Sequence, residues 1–136
     1  MNVVLDTNVV VSGAINPHGM CGRILDLLLQ GSFKLCVDDR ILHEYQEVLD
    51  RPELRIEREA TLALMAWVRY IAQPIAAPLL RTPLPDPDDL PFLEVASAAG
   101  ALLVTGNRRH FPVPASAGVR VLSPTDFVAI LRATTA

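Results

Sequence analysis

Short apolar runs alternate along the chain with longer segments in which apolar residues recur every three or four positions. The runs have the length typical of strands buried on both faces of a parallel sheet, and the longer segments have the period of amphipathic helices. Strands are predicted at 3–5, 34–37, 101–105 and 119–122, with an edge strand at 75–77. This alternation predicts an α/β fold: a three-layer α/β/α sandwich with a central parallel sheet.

Glycine, proline and capping residues indicate where the predicted helices begin and end. Residues 12–19 contain two glycines and a proline and are predicted to form a loop. Gly31 and Gly100 stand where a glycine commonly ends a helix, and Ser123 stands where a serine commonly begins one. Helices are predicted at 20–30, between the acidic pair 38–39 and Arg51, at 56–72, at 88–99, and after residue 123.

The composition is that of a globular protein. Of the 136 residues, 51% are hydrophobic and 20% are charged, which excludes a disordered or fibrous chain, and residues 1–136 are expected to form a single domain. No apolar run reaches membrane-spanning length and no signal peptide is recognised, so a cytoplasmic protein with no membrane partner is expected. Cys21 and Cys36 lack the spacing of metal ligands and are expected to be reduced thiols.

Acidic residues recur where the predicted strands end and where helices begin. Asp6 directly follows the first strand, at the edge where open α/β sheets bind their ligands. Glu44 borders the apolar stripe of its helix, and Asp86, Asp88 and Asp89 stand together at the start of another helix. Helix capping or a position at the boundary of the core would explain each acid taken alone. A helix start, however, needs only one capping residue, and three acids stand at this one. The repeated placement favours a shared site.

Carboxylates gathered in one cleft raise one another's pKa and cost stability unless a cation lies among them. Oxygen ligands without Cys or His favour Mg²⁺ or Mn²⁺, and such an ion held by carboxylates suits phosphoryl chemistry. The sequence contains no phosphate-binding glycine loop, dinucleotide fingerprint or nucleophile elbow, which disfavours nucleotide cofactors and acyl transfer. The formal charge of −3 does not by itself indicate a nucleic-acid-binding protein, but an acidic metal site lowers that charge.

Taken together, these motifs resemble the PIN domain. The matching motifs are Asp6-Thr-Asn8 with Ser12, Glu44 within residues 42–49, and residues 86–96 followed by Val104-Thr-Gly-Asn107. Their order and spacing match across essentially the whole chain. The resemblance implies a Rossmann-like α/β/α sandwich and a Mg²⁺- or Mn²⁺-dependent endoribonuclease that cleaves single-stranded RNA. It also implies the toxin of a toxin–antitoxin pair, with an antitoxin as its protein partner.

By this resemblance, Asp6, Glu44 and Asp89 match the three acids of the family's metal site and would be both metal ligands and catalytic residues. Asp86 would be an accessory metal ligand. In the implied reaction, Asp6 and Asp89 would hold the ion while Glu44 orients or deprotonates the attacking water. The reaction would be the metal-assisted hydrolysis of an RNA phosphodiester.

Three polar residues would support this site. Asn8 and Ser12 would do so by hydrogen bonding. The family often has a fourth acid where this chain has Asn107, which offers a carbonyl oxygen but no charge. This departure from the family's pattern leaves open whether a second metal binds. It also leaves open whether the chain is instead a catalytically weak or silent PIN-like binding module.

The basic turn Arg108-Arg109-His110 is expected close to the end of a strand. Arg108 and Arg109 would bind the RNA backbone, since an arginine fork suits phosphate; a solvated turn is the alternative.

A homodimer is also left open. A Mg²⁺-binding phospho-receiver-like domain is disfavoured because such a domain needs a lysine after a late strand, and Lys34, the only lysine, begins an early one.

Overall fold

A computed structural model of the chain describes residues 1–112 and 116–135. Within these residues, five strands form one parallel sheet with the order β3-β2-β1-β4-β5. The strands are β1 (Asn2–Leu5), β2 (Lys34–Val37), β3 (Gln73–Pro74), β4 (Leu102–Val104) and β5 (Val121–Leu122). The predicted α/β fold with a central parallel sheet is therefore confirmed.

Six α-helices lie between and after the strands in the described part of the chain. They are α1 (Thr7–Ile15), α2 (Met20–Leu29), α3 (Asp39–Leu49), α4 (Arg58–Ile71), α5 (Leu90–Ala99) and α6 (Pro124–Thr135). Short 3₁₀ turns occur at Pro52–Leu54, Pro87–Asp89 and Arg108–His110. No helix within the described ranges is both long and apolar enough to cross a membrane.

The centre of the sheet is buried on both faces. Val3, Val4 and Leu5 of β1 are consecutive and fully buried, so helices cover the side chains that point to either face. In the register of the central pair, Leu5 of β1 lies beside Val104 of β4. The residues that follow these two strands therefore emerge side by side at one edge of the sheet, where the site lies.

The loop predicted at 12–19 is partly wrong, because α1 continues through Ile15. Gly13 lies on the buried face of this helix and allows α2 to pack closely. A Cβ atom at Gly13 would lie 2.6 Å from the Leu25 side chain and 2.8 Å from the carbonyl oxygen of Cys21. This glycine thus allows close helix packing. In the sequence alone, it cannot be distinguished from a glycine that marks a loop.

The edge strand lies two residues earlier than predicted. β3 pairs with β2 immediately after α4 ends, and the amide of Ile75 then donates to the carbonyl oxygen of Val37 at 2.8 Å. The residues predicted as the strand, 75–77, begin an irregular proline-rich segment instead. Strand pairing with β2 fixes this position, and the apolar pattern alone does not contain that information.

Candidate functional site

Asp6 directly follows β1 and is buried at the edge of the sheet, with only 4% of its surface exposed. Its amide donates to the carbonyl oxygen of Val104 at 2.9 Å, and Thr105 donates its hydroxyl to Asp6 Oδ2 at 2.8 Å. Burial raises the pKa of Asp6, although the Thr105 hydrogen bond and the nearby His110 oppose this rise. The position of Thr105 follows from the register that places Val104 beside Leu5.

Asn8 connects Asp6 with the turn that follows β4. Its amide nitrogen donates to Asp6 Oδ2 at 3.3 Å, while its Oδ1 accepts from the amide of Gly106 at 3.0 Å. The hydroxyl of Thr105 also accepts from the amide of Asn107 at 3.0 Å. Two side chains, from α1 and from the end of β4, therefore hold the Asp6 carboxylate in place.

Glu44 lies on α3, beside the end of β1. Thr7 donates its hydroxyl to Glu44 Oε2, and the buried Tyr45 hydroxyl donates to the carbonyl oxygen of Leu5. These contacts tie α3 to the residues on either side of Asp6. Burial raises the pKa of Glu44, and the negative charges of Asp6 and other nearby acids raise it further, against the Thr7 hydrogen bond.

Asp89 ends the turn before α5 and has a 13% exposed side chain. Its Oδ2 is buried and has no hydrogen-bond partner among the described residues. His110 Nδ1 lies 3.1 Å from this oxygen but is not aligned for a hydrogen bond. Burial raises the pKa of Asp89 to about 6, with Asp6 adding to the rise and His110 opposing it.

The structure thus brings Asp6, Glu44 and Asp89 to one edge of the sheet, where the charge of Asp6 acts on both other acids. No arginine pairs with any of the three within the described part of the chain. In residues 1–112 and 116–135, however, no three His, Cys, Asp or Glu side chains are already arranged to hold an ion. Side-chain rotation would be needed to complete a metal site.

The donor set nevertheless fits a hard divalent cation. All three acids offer oxygen, which Mg²⁺ and Mn²⁺ prefer, and Cys and His ligands are not needed. The unpartnered Oδ2 of Asp89 is a buried acceptor without a donor, and a bound cation would satisfy it. The carboxylates also repel one another, and a cation would relieve that repulsion.

Asp86, Ser12 and Asn107 make no side-chain contact with these three acids in the described hydrogen bonds and ion pairs. Asp86 is exposed and accepts from the amide of Asp88 at 2.9 Å, which caps the turn before α5. Ser12 is exposed on α1. Asn107 accepts from the amide of Arg109 at 3.3 Å and so caps the turn after β4. A supporting role for each residue stays a prediction.

The basic turn lies next to the acids through His110, whose side chain is 41% exposed. Arg108 and Arg109 are exposed and border a groove of about 540 Å³ beside β5. Arg108 Nη1 lies 3.9 Å from Asp126 Oδ2, which is a weak contact at an exposed site. RNA binding by the two arginines stays a prediction.

An ion pair between a buried glutamate and a partly exposed arginine, close to the acids, was not predicted. Glu94 of α5 is 2% exposed, and its Oε1 lies 2.7 Å from Arg40 Nη1 of α3. The signal in the sequence is an acid within the otherwise apolar run 92–96. That signal indicates a buried carboxylate that needs a partner, but it does not identify Arg40, 54 residues away.

Comparison with known proteins identifies the family. The family model described as PIN domain matches residues 2–109. The uncharacterized protein MJ1680 of Methanocaldococcus jannaschii is 30% identical over 111 residues, which are 79% of this chain and 72% of that protein.

Solved structures share the fold. A chain in the structure of VapBC2 from Rickettsia felis bound to a DNA fragment from its promoter superposes with a TM-score of 0.61 and 21% identity, covering 90% of this chain and 98% of that one. A chain in the structure of FitAB bound to the IR36 DNA fragment superposes with a TM-score of 0.58 and 19% identity, covering 90% of this chain and 94% of that one. At such identities these likenesses show the fold alone. The match over residues 2–109 shows that the chain belongs to the PIN-domain family.

Proposed function

We propose that the chain is an endoribonuclease that cleaves single-stranded RNA with Mg²⁺ or Mn²⁺ bound by Asp6, Glu44 and Asp89. The observation that carries this proposal is the meeting of these acids at one edge of the sheet, with the buried Asp89 Oδ2 lacking a donor. Membership in a family of nucleases supports it.

When bound, the ion would polarise the phosphodiester and make a water more acidic. Thr105 and Asn8 hold Asp6 in a fixed orientation, so that this ligand needs no rearrangement by the substrate. Glu44 would orient or deprotonate the attacking water, and its raised pKa brings it closer to the neutral range in which a general base is effective. Thr7 fixes the Glu44 carboxylate from the neighbouring helix.

The remaining predicted residues have supporting parts in this proposal. Asp86 adds negative charge near Asp89 and would bind the ion or one of its waters. Ser12 and Asn107 would hydrogen-bond to waters at the rim of the site. Arg108 and Arg109 would bind RNA phosphates, because an arginine fork makes two parallel hydrogen bonds to a phosphate.

We also propose that the chain is the toxin of a toxin–antitoxin pair, acts in the cytoplasm and is restrained by an antitoxin. The resemblance to PIN-domain toxins and the shared fold with VapBC2 and FitAB support this role. Induced expression should slow growth, and Asp6→Asn should remove the harm. Unimpaired growth with the parent chain would count against the toxin role and leave the nuclease proposal standing.

The nuclease proposal is tested with purified protein and a fluorescently labelled single-stranded RNA, in EDTA and with added Mg²⁺ or Mn²⁺. The parent should cut only with metal. Asp6→Asn and Asp89→Asn should reduce cleavage at least a thousandfold. Asp26→Asn serves as the matched control, because Asp26 is an exposed acid on α2, and it should cut like the parent. Undiminished cutting by both site variants would refute the assignment.

A PIN-like binding module without catalysis is the second candidate. It is favoured by Asn107, which replaces an acid and whose side chain caps a turn, and by the lack of a preassembled ligand set among the described residues. The same assay separates the two candidates, because this module would leave RNA intact at every metal concentration. The phospho-receiver alternative is set aside, since the chain belongs to the PIN-domain family.

A further inference from the structure

The most unusual buried group outside the proposed mechanism is the carboxylate of Glu94. Its neighbours along α5 (Phe92, Leu93, Val95 and Ala96) are all buried and apolar. A carboxylate taken out of water is costly to bury, and apolar residues of similar volume commonly fill such a position equally well. The contacts of the Glu94 carboxylate therefore indicate its role.

Both oxygens of Glu94 have donors from other segments. Arg40 Nη1 approaches Oε1 at 2.7 Å, and the amide of Leu80 donates to Oε2 at 2.6 Å. Glu94 thus joins α5 to α3 on one side and to the proline-rich segment 75–86 on the other. The carboxylate is fully engaged.

Arg40 extends these contacts to the sheet. Its Nε and Nη2 donate to Asp38 Oδ2 at 2.9 and 2.7 Å. Asp38 follows β2 and also caps α3, since its Oδ1 accepts from the amide of Ile41 at 3.0 Å. A continuous series of polar contacts therefore runs from the end of β2, through the start of α3, to α5.

These contacts lie one to two helical turns from two of the proposed metal ligands. Arg40 and Glu44 are four residues apart on α3 and so share a face of that helix. Glu94 lies five residues after Asp89. Arg40, Glu44 and Glu94 also line the same cleft, of about 630 Å³.

Without a cation, the negative charges of Glu44 and Asp89 repel each other, and this repulsion favours a larger separation of the two carboxylates. An ion pair that links α3 to α5 opposes that separation. Arg40 is a poor candidate for a phosphate ligand, since Nε, Nη1 and Nη2 are all bound to carboxylates. An ion pair whose arginine side chain is 41% exposed is also weak evidence for stability as such.

We propose that Arg40 and Glu94 are positioning residues that fix the separation of Glu44 and Asp89, and we call this pair the α3–α5 clamp. This inference rests on the proposed function of the acids as a metal site. The clamp acts on the arrangement of the ligands and touches neither the ion nor the RNA.

The test compares the parent with Arg40→Met/Glu94→Leu, a paired variant that replaces both charges of the ion pair by apolar side chains. Asp38 loses Arg40 but keeps the amide of Ile41 as a donor, and the amide of Leu80 loses its acceptor. The melting temperature of the paired variant in EDTA should stay within a few degrees of the parent value. Calorimetric titration should show Mn²⁺ affinity about tenfold lower, the loss typical of residues that orient metal ligands. The kcat for RNA should fall by a similar factor, with KM unchanged.

Two single variants sharpen the test. Arg40→Lys keeps the positive charge, but an ammonium cannot bridge Asp38 and Glu94 as a guanidinium does, so it should show the same loss of Mn²⁺ affinity. Arg23→Ala, which removes an exposed arginine from α2, is the matched control and should behave like the parent.

A metal-free readout is the crystal structure of the paired variant beside that of the parent, in which the Glu44 and Asp89 carboxylates should be farther apart. Unchanged Mn²⁺ affinity and spacing in the paired variant, or a defect in KM that Arg40→Lys restores, would overturn the clamp. Failure of the parent itself to bind Mn²⁺ or cut RNA would overturn the proposed function, and the clamp with it.

Discussion

Substitution of Asp89 by asparagine should stabilise the metal-free protein. Burial and the charge of Asp6 raise the pKa of Asp89 from 3.8 to about 6, so its charged form is less stable in the folded than in the unfolded chain. At neutral pH this difference, which already includes the opposing attraction of His110, corresponds to at most about 3 kcal/mol. Asp89→Asn should therefore raise the free energy of unfolding by about 1–3 kcal/mol.

The size of the effect depends on pH, and its sign depends on whether metal is bound. The penalty has its full size at a pH well above about 6, where Asp89 is ionised in both states. It declines as the pH falls through that value and is absent well below 3.8, where Asp89 is protonated in both states. The advantage of Asp89→Asn should shrink over the same interval. With Mn²⁺ at about a thousandfold excess over its Kd, the parent should gain about 4.1 kcal/mol and become more stable than Asp89→Asn, which lacks this ligand.

Thermal unfolding followed by circular dichroism at pH 7.5 in EDTA measures this effect. For a chain of this size, the expected gain raises the melting temperature by about 4–10 °C. Asp26→Asn, which neutralises an exposed acid on α2, should change the melting temperature by less than about 2 °C. A metal-free Asp89→Asn protein that melts at or below the parent temperature would refute the idea that burial and the neighbouring negative charges destabilise the ionised Asp89 carboxylate.

Three further predictions concern the ligand support, the helix packing and the pH dependence of metal binding. Thr105→Val removes the 2.8 Å hydrogen bond to Asp6 and should lower Mn²⁺ affinity about tenfold by calorimetry; an unchanged affinity would contradict the supporting role. Gly13→Ala places a Cβ atom 2.6 Å from the Leu25 side chain and should cost about 1–3 kcal/mol in urea unfolding, whereas a neutral substitution would show that the packing of α1 against α2 is looser. Mn²⁺ affinity should rise with pH through about 6, because the carboxyl group of Asp89 must lose its proton before it binds the ion; a flat profile would argue against Asp89 as a ligand.

The central sheet and the position of Asp6 could be predicted from the sequence. Val3, Val4 and Leu5 form an apolar run of strand length, and an acid that directly follows such a run lies at the edge where ligands bind. The glycines were harder to interpret. Gly13 indicated a loop because backbone freedom and close helix packing demand the same residue, and the sequence does not show which demand applies.

Contacts between segments distant in the sequence could not be predicted. Thr105 meets Asp6 only because Leu5 pairs with Val104, and strand register is set by the whole sheet. Arg40, the partner of Glu94, lies 54 residues away on another helix. An acid within an apolar run indicates only that a partner is needed and does not show which residue it is.

The central claim is that Asp6, Glu44 and Asp89 form one divalent-metal site, and Mn²⁺ soaked into crystals of the protein tests it most directly. The account predicts one anomalous-scattering peak at the carboxyl edge of the sheet, with oxygens of Asp6 and Asp89 at about 2 Å, the bond length of small hard cations. The peak should be lost in Asp6→Asn crystals. Soaked parent crystals that show no peak there, or only a peak distant from both residues, would contradict the account.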